Sequence, residues 1–272
     1  MPSPLWHIDA FCEQPFGGNP AAVCLLGAPA EPTWMQGLAA EMNLSETAFL
    51  VRQGDGFALR WFTPTVEVDL CGHATLASAH ALWEQGLVDA GATIRFQTRS
   101  GELTASRRDG LIWLDLPALP AVPVKAPPAV LAALEITPTW AGITGSGRDP
   151  VASSRENYLL VLANARAVRD VRPDFSALRE ATEAGVIITS RGEDSSYHFI
   201  SRYFAPSAGI DEDPVTGSAH CTLGPYWAEQ LGIANLAAFQ ASPRGGQLWV
   251  RVSDERVRVG GNAVTVVRGN LA

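Results

Sequence analysis

The sequence predicts a mixed α/β protein built from two similar halves. Three observations support this prediction: a pattern of eight residues occurs twice, a glycine opens an alanine-rich segment after each copy, and a proline-rich stretch lies between the copies. The chain has 272 residues, which is enough for one large domain or two domains of medium size.

The repeated pattern reads Phe, two variable residues, Arg, an aromatic residue, Phe, one variable residue and Pro. It covers residues 57–64 and residues 199–206, so equivalent positions lie 142 residues apart. Gly72 and Gly217 follow the two copies at a spacing of 145 residues, and each precedes a segment that contains Trp and ends at Gly. Glycine suits a helix C-terminus because it tolerates positive φ. Three features in the same order at nearly constant spacing indicate an internal duplication.

The proline-rich stretch predicts the boundary between the halves. Residues 116–128 contain five prolines, which fix φ and lack a backbone donor, as is typical of a linker. We therefore expect a first half over residues 1–117, a linker over residues 118–127 and a second half over residues 128–272. The last strand segment is a candidate to pack on the first half.

The elements follow from residue patterns in each half. Short runs rich in β-branched and aromatic residues predict strands, and helical spacing predicts helices. In the first half, strands are expected at 5–11, 48–51, 57–62, 93–98 and 110–116, and helices at 33–42 and 74–84. In the second half, strands are expected at 158–162, 186–190, 197–204 and 247–252, and helices at 175–184 and 218–230. A terminal hairpin over 257–267 is expected to turn at 260–262.

Composition argues against several classes of function. The 20 basic residues are outnumbered by 28 acidic ones, so no cationic surplus is left to bind nucleic acid. No apolar run approaches the roughly 18 to 20 residues that span a bilayer, and the first residues lack the basic flank and apolar core of a signal peptide. A cytoplasmic protein without membrane binding is therefore expected. The four cysteines lack CxxC spacing, so neither a disulfide framework nor a zinc ribbon is predicted.

The two repeated glycines predict a site for a small anion. A helix that begins at Gly72 or Gly217 has unpaired N–H groups and a positive dipole end, which stabilise a carboxylate or phosphate. If the halves are related by a pseudo-twofold axis, the two helix ends face each other across a cleft. A small carboxylate fits between them. The polar side chains near these glycines are Cys71, His73, Thr75, Asp213, Thr216, Ser218 and His220.

Glu46 lies where a predicted helix gives way to an apolar strand. It is either a surface residue at the start of the strand or a partly desolvated acid whose raised pKa suits proton transfer. The corresponding stretch of the second half, residues 184–188, contains no acid. Any chemistry by Glu46 is therefore expected on one side of the duplicated scaffold only.

Five segments in a fixed order resemble the PhzF-like phenazine-biosynthesis protein family. They are residues 19–23, 43–47, 62–64, 71–75 and 213–219. The resemblance implies a diaminopimelate epimerase-like fold, with two pseudo-twofold-related halves, each a curved, mostly antiparallel sheet around a central helix. It further implies a homodimer and an isomerase without metal or organic cofactor. The founding activity of the family moves a proton between ring carbons of a dihydro-hydroxyanthranilate.

The resemblance also assigns roles to residues of this chain. Glu46 matches the glutamate that carries the proton, and the other catalytic candidates are His73 and Asp213, which hold and polarise the substrate. The predicted substrate-binding residues are Ser45, Gly72, Gly217, Ser218 and Asn19. Cys71 and Thr216 are possible further members of the site.

Three other functions remain open from the sequence. The first is an amino-acid epimerase in which Cys71, at a helix N-terminus, has a lowered thiol pKa and acts as a base. Its partner position is Thr216, whose hydroxyl is too weak an acid, so a two-thiol racemase is disfavoured. The second is a zinc hydrolase that uses Cys71, His73, His220 and Cys221 as ligands. The third is a protein that only binds a small acid.

Overall fold

The computed structural model of the chain describes residues 3–144 and 156–272. The chain divides into two compact units, of which the first comprises Met1–Leu116 with Arg258–Ala272 and the second comprises Pro117–Val257. Both units combine strands and helices, so the predicted mixed α/β class is confirmed. Within the described ranges, none of the helices combines the length and the apolar character needed to cross a lipid bilayer.

The elements are numbered in chain order. The strands are β1 Pro4–Ala10, β2 Asn19–Leu26, β3 Glu46–Gln53, β4 Gly56–Phe62, β5 Glu67–Val68, β6 Ile94–Thr98, β7 Gly101–Arg108, β8 Leu111–Pro117, β9 Val122–Pro123, β10 Trp140–Thr144, β11 Asn157–Val161, β12 Gly185–Arg191, β13 Phe199–Ala205, β14 Ile210–Asp213, β15 Asn235–Gln240, β16 Gly246–Ser253, β17 Arg256–Gly261 and β18 Ala263–Asn270. The helices are α1 Pro32–Met42, α2 Gly72–Glu84, α3 Pro128–Leu134, α4 Ala165–Asp170, α5 Phe175–Ala181 and α6 His220–Leu231.

The first unit is built around the buried helix α2. Eleven of its thirteen residues are buried, and the helix packs on β1, β2, β3, β7 and β18. A helix that is buried nearly all round must be apolar on every face, and the small residues of its sequence, GHATLASAHALWE, allow the surrounding strands to approach closely. The second helix of this unit, α1, packs on β3 and β4 through a smaller core that includes Met35, Phe49 and Phe62.

The same order of strand pairing occurs in both units. In the first unit β2 and β3 are parallel, β3 and β4 antiparallel, and β4 and β6 parallel, while α2 lies in sequence between β5 and β6. In the second unit β11 and β12 are parallel, β12 and β13 antiparallel, and β13 and β15 parallel, while α6 lies between β14 and β15. The two units therefore share one topology, as an internal duplication requires.

Most elements that were predicted lie within two or three residues of the expected bounds. The sequence predicted none of the described elements β2, β5, β7, β9, β10, β14, β15, α3 and α4. Three differences in the predicted elements matter. Strand β3 begins at Glu46 and not at residue 48. Helix α6 begins at His220 and not at residue 218. The predicted terminal hairpin is wrong: only Asn262 separates β17 from β18, which is shorter than a hairpin loop, and β18 pairs antiparallel with β1, from Ala10↔Ala263 to Pro4↔Asn270.

The arginines of the repeated pattern make equivalent contacts. Arg60 of β4 binds Glu67 through two hydrogen bonds of 2.7 and 2.8 Å, and its guanidinium lies 5.2 Å from the centre of the Phe62 ring. Arg202 of β13 binds Glu212 through two hydrogen bonds of 2.7 and 2.9 Å and lies 5.0 Å from the Phe204 ring centre. Each arginine ties its strand to the short strand that follows it.

The two arginines differ in burial. The side chain of Arg202 is 7% exposed and also donates to the carbonyl oxygens of Val168 and Val171, whereas that of Arg60 is 33% exposed. Removing one partner of a buried ion pair leaves an uncompensated charge and costs about 3–5 kcal/mol. An ion pair that water reaches contributes about 1 kcal/mol or less.

We therefore expect Arg202→Met to lower the free energy of unfolding by about 3–5 kcal/mol, and Arg60→Met by about 1 kcal/mol. Urea denaturation followed by circular dichroism measures both values. Because the residues occupy equivalent positions in the duplicated pattern, each variant is the control for the other. Equal losses in the two variants would contradict the role assigned to burial.

Candidate active site

Three elements of the first unit bring polar side chains together. Asn19 is the first residue of β2, Glu46 is the first residue of β3, and His73 is the second residue of α2. Because β2 and β3 are parallel neighbours with Ala21 opposite Glu46, the N-terminal ends of both strands lie side by side. Gly18, with φ of 61°, immediately precedes Asn19, and a Cβ atom there would collide with the carbonyl oxygen of Ala10.

The His73 ring contacts all the other members of this group. Its Nε2 atom lies 3.0 Å from Glu46 Oε2, and its Nδ1 atom lies 3.0 Å from Asn19 Nδ2. Cys71 Sγ lies 3.5 Å from His73 Nδ1. The structure therefore joins four of the residues predicted from the sequence in one cluster, with His73 at its centre.

Glu46 is buried, with only 8% of its surface exposed. Sequence alone would place this acid at the surface, because it stands at the start of a strand. Its Oε2 atom lies 3.0 Å from His73 Nε2, within hydrogen-bond distance, and a carboxylate oxygen with two lone pairs keeps an acceptor position beyond this contact. A buried carboxylate oxygen with an open acceptor position is able to take a proton from a bound molecule.

The surroundings of His73 favour its charged form. Burial lowers the pKa of the ring, but the electrostatic interactions and hydrogen bonds of the ring with Cys71 and Glu46 outweigh burial and hold the pKa well above its usual value of 6.5. The Asn19 side chain can hydrogen-bond the neutral or the charged ring. Rotating its amide group by 180° places the oxygen, which accepts, where the nitrogen, which donates, lies.

Cys71 does not have the lowered pKa expected at a helix N-terminus. Burial and the neighbouring Glu46 charge raise the pKa of its thiol to about 11, despite the opposing effects of His73 and of the Ala74 N–H group. Cys71 is the N-cap residue of α2, but its side chain makes no cap hydrogen bond. A thiol with this pKa keeps its proton at neutral pH, so very little thiolate is present to act as a base.

The first turn of α2 offers backbone donors beside this cluster. The first helical bond runs from Thr75 N to Cys71 O, so the N–H groups of Gly72 and His73 have no helix carbonyl to bind. Gly72 is buried, and Ser45 is half-buried directly before Glu46. The predicted helix start at Gly72 is therefore present.

In the second unit the predicted residues form a turn and not a helix start. Residues 217–219 precede α6, and their bonds span three residues, from His220 N to Gly217 O and from Cys221 N to Ser218 O. Asp213 and Thr216 are buried and joined by a 2.5 Å hydrogen bond from Thr216 Oγ1 to Asp213 Oδ2, while Ser218 is half-buried. Gly217 is thus a turn glycine, because the backbone of Thr216 is bound by side chains that hold it out of α-helical geometry.

His220 has surroundings opposite in effect to those of His73. Its Nδ1 atom lies 2.9 Å from the carbonyl oxygen of Thr216, and its ring packs against Phe199. Burial lowers the pKa of His220 to about 4, against a smaller raising effect of the Thr216 carbonyl. Burial likewise raises the pKa of Cys221 to about 12. Among the described residues, the donor atoms that lie close enough to hold one metal ion do not include those of His220 or Cys221, so the four-ligand zinc site gains no support.

A different set of residues has side chains of the kind that bind metal ions. Among the residues that the structure describes, the donor atoms that converge are those of Glu46, Cys71 and His73, all within 4.8 Å of one another. A carboxylate, a thiol and an imidazole are ligands that zinc accepts. Glu46 and His73 already compensate each other's charge in this set.

One buried residue that touches the predicted site had no signal in the sequence. Gln240, the last residue of β15, hydrogen-bonds both Asp213 and Thr216. It lies 24 residues beyond Thr216 in a segment without other polar motifs. No local pattern reports a contact between segments so far apart in sequence.

Comparison with known proteins is decisive for the family. Residues 8–269 match the family described as phenazine biosynthesis-like protein, PhzC-PhzF. The chain belongs to this family. An uncharacterized isomerase of Halalkalibacterium halodurans is 47% identical over 272 residues, which cover 100% of this chain and 99% of that protein.

Solved structures show the same fold. A crystal structure of a PhzF-family phenazine biosynthesis protein from Enterococcus faecalis matches with a TM-score of 0.91 and 41% identity over 100% of both chains. A Pseudomonas aeruginosa protein named as a predicted epimerase matches with a TM-score of 0.76 and 22% identity over 99% of both chains. The family resemblance and fold expected from the sequence are confirmed, and the names of the curated relatives support an isomerase role.

The opposite states of His73 and His220 are measurable by ¹⁵N chemical shifts of the imidazole rings. At pH 7 we expect His73 to carry protons on both nitrogens, because the Glu46 carboxylate stabilises the cation. We expect His220 to stay neutral down to about pH 5, with its proton on Nδ1, because burial disfavours the charge. A neutral His73 ring at pH 7 would contradict the ion pair with Glu46.

Proposed function

We propose that this protein is an isomerase that moves a proton between two carbon atoms of a small carboxylate-bearing substrate without a metal or organic cofactor. The observation that carries the proposal is the buried contact of 3.0 Å between Glu46 and His73 at the N-terminus of α2. Membership of a family whose relatives include isomerases supports the reaction class.

Glu46 is proposed as the proton carrier. Its Oε2 atom is buried and lies 3.0 Å from His73 Nε2, and the carboxylate has further lone pairs that are able to take a proton from carbon. One carboxyl group can remove a proton at one carbon and return it at another. His73 holds Glu46 in place and supplies positive charge beside it, and Asn19 orients the His73 ring.

Backbone N–H groups are proposed to bind the negative charge of the substrate. Removing a proton from carbon develops charge on the substrate, and fixed donors in a buried site stabilise such charge by about 3–4 kcal/mol each. In the first unit these donors are the amides of Gly72 and His73, which have no helix carbonyl to bind.

The remaining parts of the assignment rest on the family resemblance. Ser45, Asp213, Gly217 and Ser218 are proposed to bind and polarise the same substrate, with Thr216 in support. A homodimer in the cytoplasm is likewise proposed on this ground.

Glu46→Gln is expected to abolish proton transfer, because the amide has nearly the same shape but cannot take up a proton. The measurement is deuterium incorporation from D₂O into carbon positions of a panel of small carboxylates, beginning with a dihydro-hydroxyanthranilate, followed by NMR. A loss of about 10²- to 10⁴-fold is expected, the usual contribution of a general acid or base.

The control is Glu41→Gln, which makes the same change at an exposed position of α1. It is expected to leave the exchange rate unchanged. Unchanged exchange in Glu46→Gln, on every carboxylate that the wild type accepts, would remove the catalytic role from Glu46.

The second candidate is an amino-acid epimerase, which the contact between Cys71 and His73 favours. Such an enzyme needs an acid or base on each face of the α-carbon, and Cys71 would supply one of them. The pKa of about 11 argues against this use of the thiol.

Cys71→Ala separates the two functions. We expect turnover to stay within about tenfold of the wild type if Glu46 carries the proton, since a helix-end contact alone contributes about 1 kcal/mol. The same NMR exchange assay measures it, with Cys24→Ala as a control at a buried thiol of β2. Collapse of turnover in Cys71→Ala alone would favour the epimerase.

A further inference from the structure

Gln240 uses its whole side-chain amide on one turn of the second unit. The residue is fully buried, at 0% exposure. Its Oε1 atom accepts the Thr216 N–H at 2.8 Å, and its Nε2 atom donates to Asp213 O at 2.8 Å and to Thr216 Oγ1 at 3.1 Å. All three bonds go to one short segment, residues 213–216, so the side chain links this segment to the end of β15.

The chemistry of the partners fixes the direction of these bonds. The Thr216 N–H can only donate, so the atom facing it must be the amide oxygen. The carbonyl oxygen of Asp213 can only accept, so the atom facing it must be the amide nitrogen. Both requirements lead to the same orientation of Gln240, so the amide cannot be reversed without breaking the network.

The Thr216 hydroxyl links Gln240 to Asp213. Gln240 Nε2 donates to Thr216 Oγ1, and this hydroxyl in turn donates to Asp213 Oδ2 at 2.5 Å.

The carbonyl of Thr216 is held from the other side. Neutral His220 donates from Nδ1 to Thr216 O at 2.9 Å. Thr216 O and the Gly217 N–H belong to one planar trans peptide and point in opposite directions. The bond from His220 therefore directs the Gly217 N–H away from the His220 ring.

We infer that Gln240, together with His220, is a positioning residue that orients the Gly217 N–H group for an anionic substrate group and holds the Thr216 hydroxyl on Asp213. The inference rests on the proposed function, in which Asp213 and Gly217 bind and polarise the substrate. Gln240 acts through Thr216 and needs no contact with the substrate.

Amide hydrogen exchange tests the positioning without any substrate. In Gln240→Leu, which keeps the approximate size but removes the three bonds, we expect the Thr216 amide to exchange about tenfold faster or more. The amides of residues 223–231 in α6 should stay within about twofold of the wild type. NMR of ¹⁵N-labelled protein measures each residue separately.

The control is Gln247→Leu on the neighbouring strand β16, whose side chain donates one hydrogen bond to Tyr197. It is expected to leave the Thr216 amide unchanged. Unchanged Thr216 exchange in Gln240→Leu would overturn the inference. Faster exchange spread evenly over the second unit would also overturn it, because Gln240 would then be an ordinary core residue.

Gln240→Glu has nearly the same shape as the wild type, and it should make protection of the Thr216 amide depend on pH, which a role in packing alone would not do. In Gln240→Glu, the acid has a single O–H group, which can donate to Asp213 O or to Thr216 Oγ1 only while the acid is protonated. Protection of the Thr216 amide, corrected for the intrinsic exchange rate, should therefore approach the wild-type value at acid pH and fall as the pH rises. Equal protection at every pH would contradict the direction of the bonds from Gln240 Nε2.

Steady-state kinetics on a carboxylate that the wild type accepts tests whether the turn around Thr216 contributes to substrate binding. Gln240→Leu is expected to raise KM by about tenfold or more, with a smaller change in kcat, because it disturbs binding of the substrate anion. An unchanged KM together with altered exchange at Thr216 would overturn the role in binding. Failure of the proposed function itself is separate, because it appears as unchanged turnover in Glu46→Gln.

Discussion

The structure of the first unit depends on the burial of the Glu46 carboxylate at the N-terminus of the central helix α2. An isolated buried charge is so unfavourable that it persists only with a partner and hydrogen bonds. His73 is that partner for Glu46, and it is carried by the first turn of α2, the most buried helix of the unit. The parallel pairing of β2 and β3 then places Asn19 where it holds the other ring nitrogen. Strand register and the position of α2 are thus coupled to one ion pair.

The duplicated scaffold carries two different electrostatic environments. Strand pairing and the bidentate arginine contacts agree between the units. The histidines near the two repeated glycines differ, because His73 faces a carboxylate whereas His220 faces a carbonyl group and an aromatic ring. One unit therefore holds a charged pair and the other a network of neutral donors around Asp213. The two units therefore share their strand pairing and arginine contacts, whereas the side chains near the repeated glycines give each unit a different chemistry.

Burial has a larger effect than the helix dipole at Cys71. A change of pKa from 9.0 to about 11 corresponds to roughly 3 kcal/mol against the thiolate. A helix N-terminus favours a negative charge by only about 0.3–1 kcal/mol. The same helix end is therefore suited to binding a substrate anion without activating the thiol.

Sequence alone determined the properties that repeat or act locally. The equivalent spacing of Arg60 and Arg202 revealed the duplication, and most strands and helices followed from residue patterns of a few positions. Tertiary structure decided the burial of Glu46 beside His73, and the start of α6, since distant side chains bind Thr216. Gln240 had no signal at all, because its three bonds reach a turn 24 residues away in sequence. Hydrophobic and turn patterns report the immediate neighbours of a residue, whereas pKa values and hydrogen-bond directions depend on whatever the fold brings within a few ångströms.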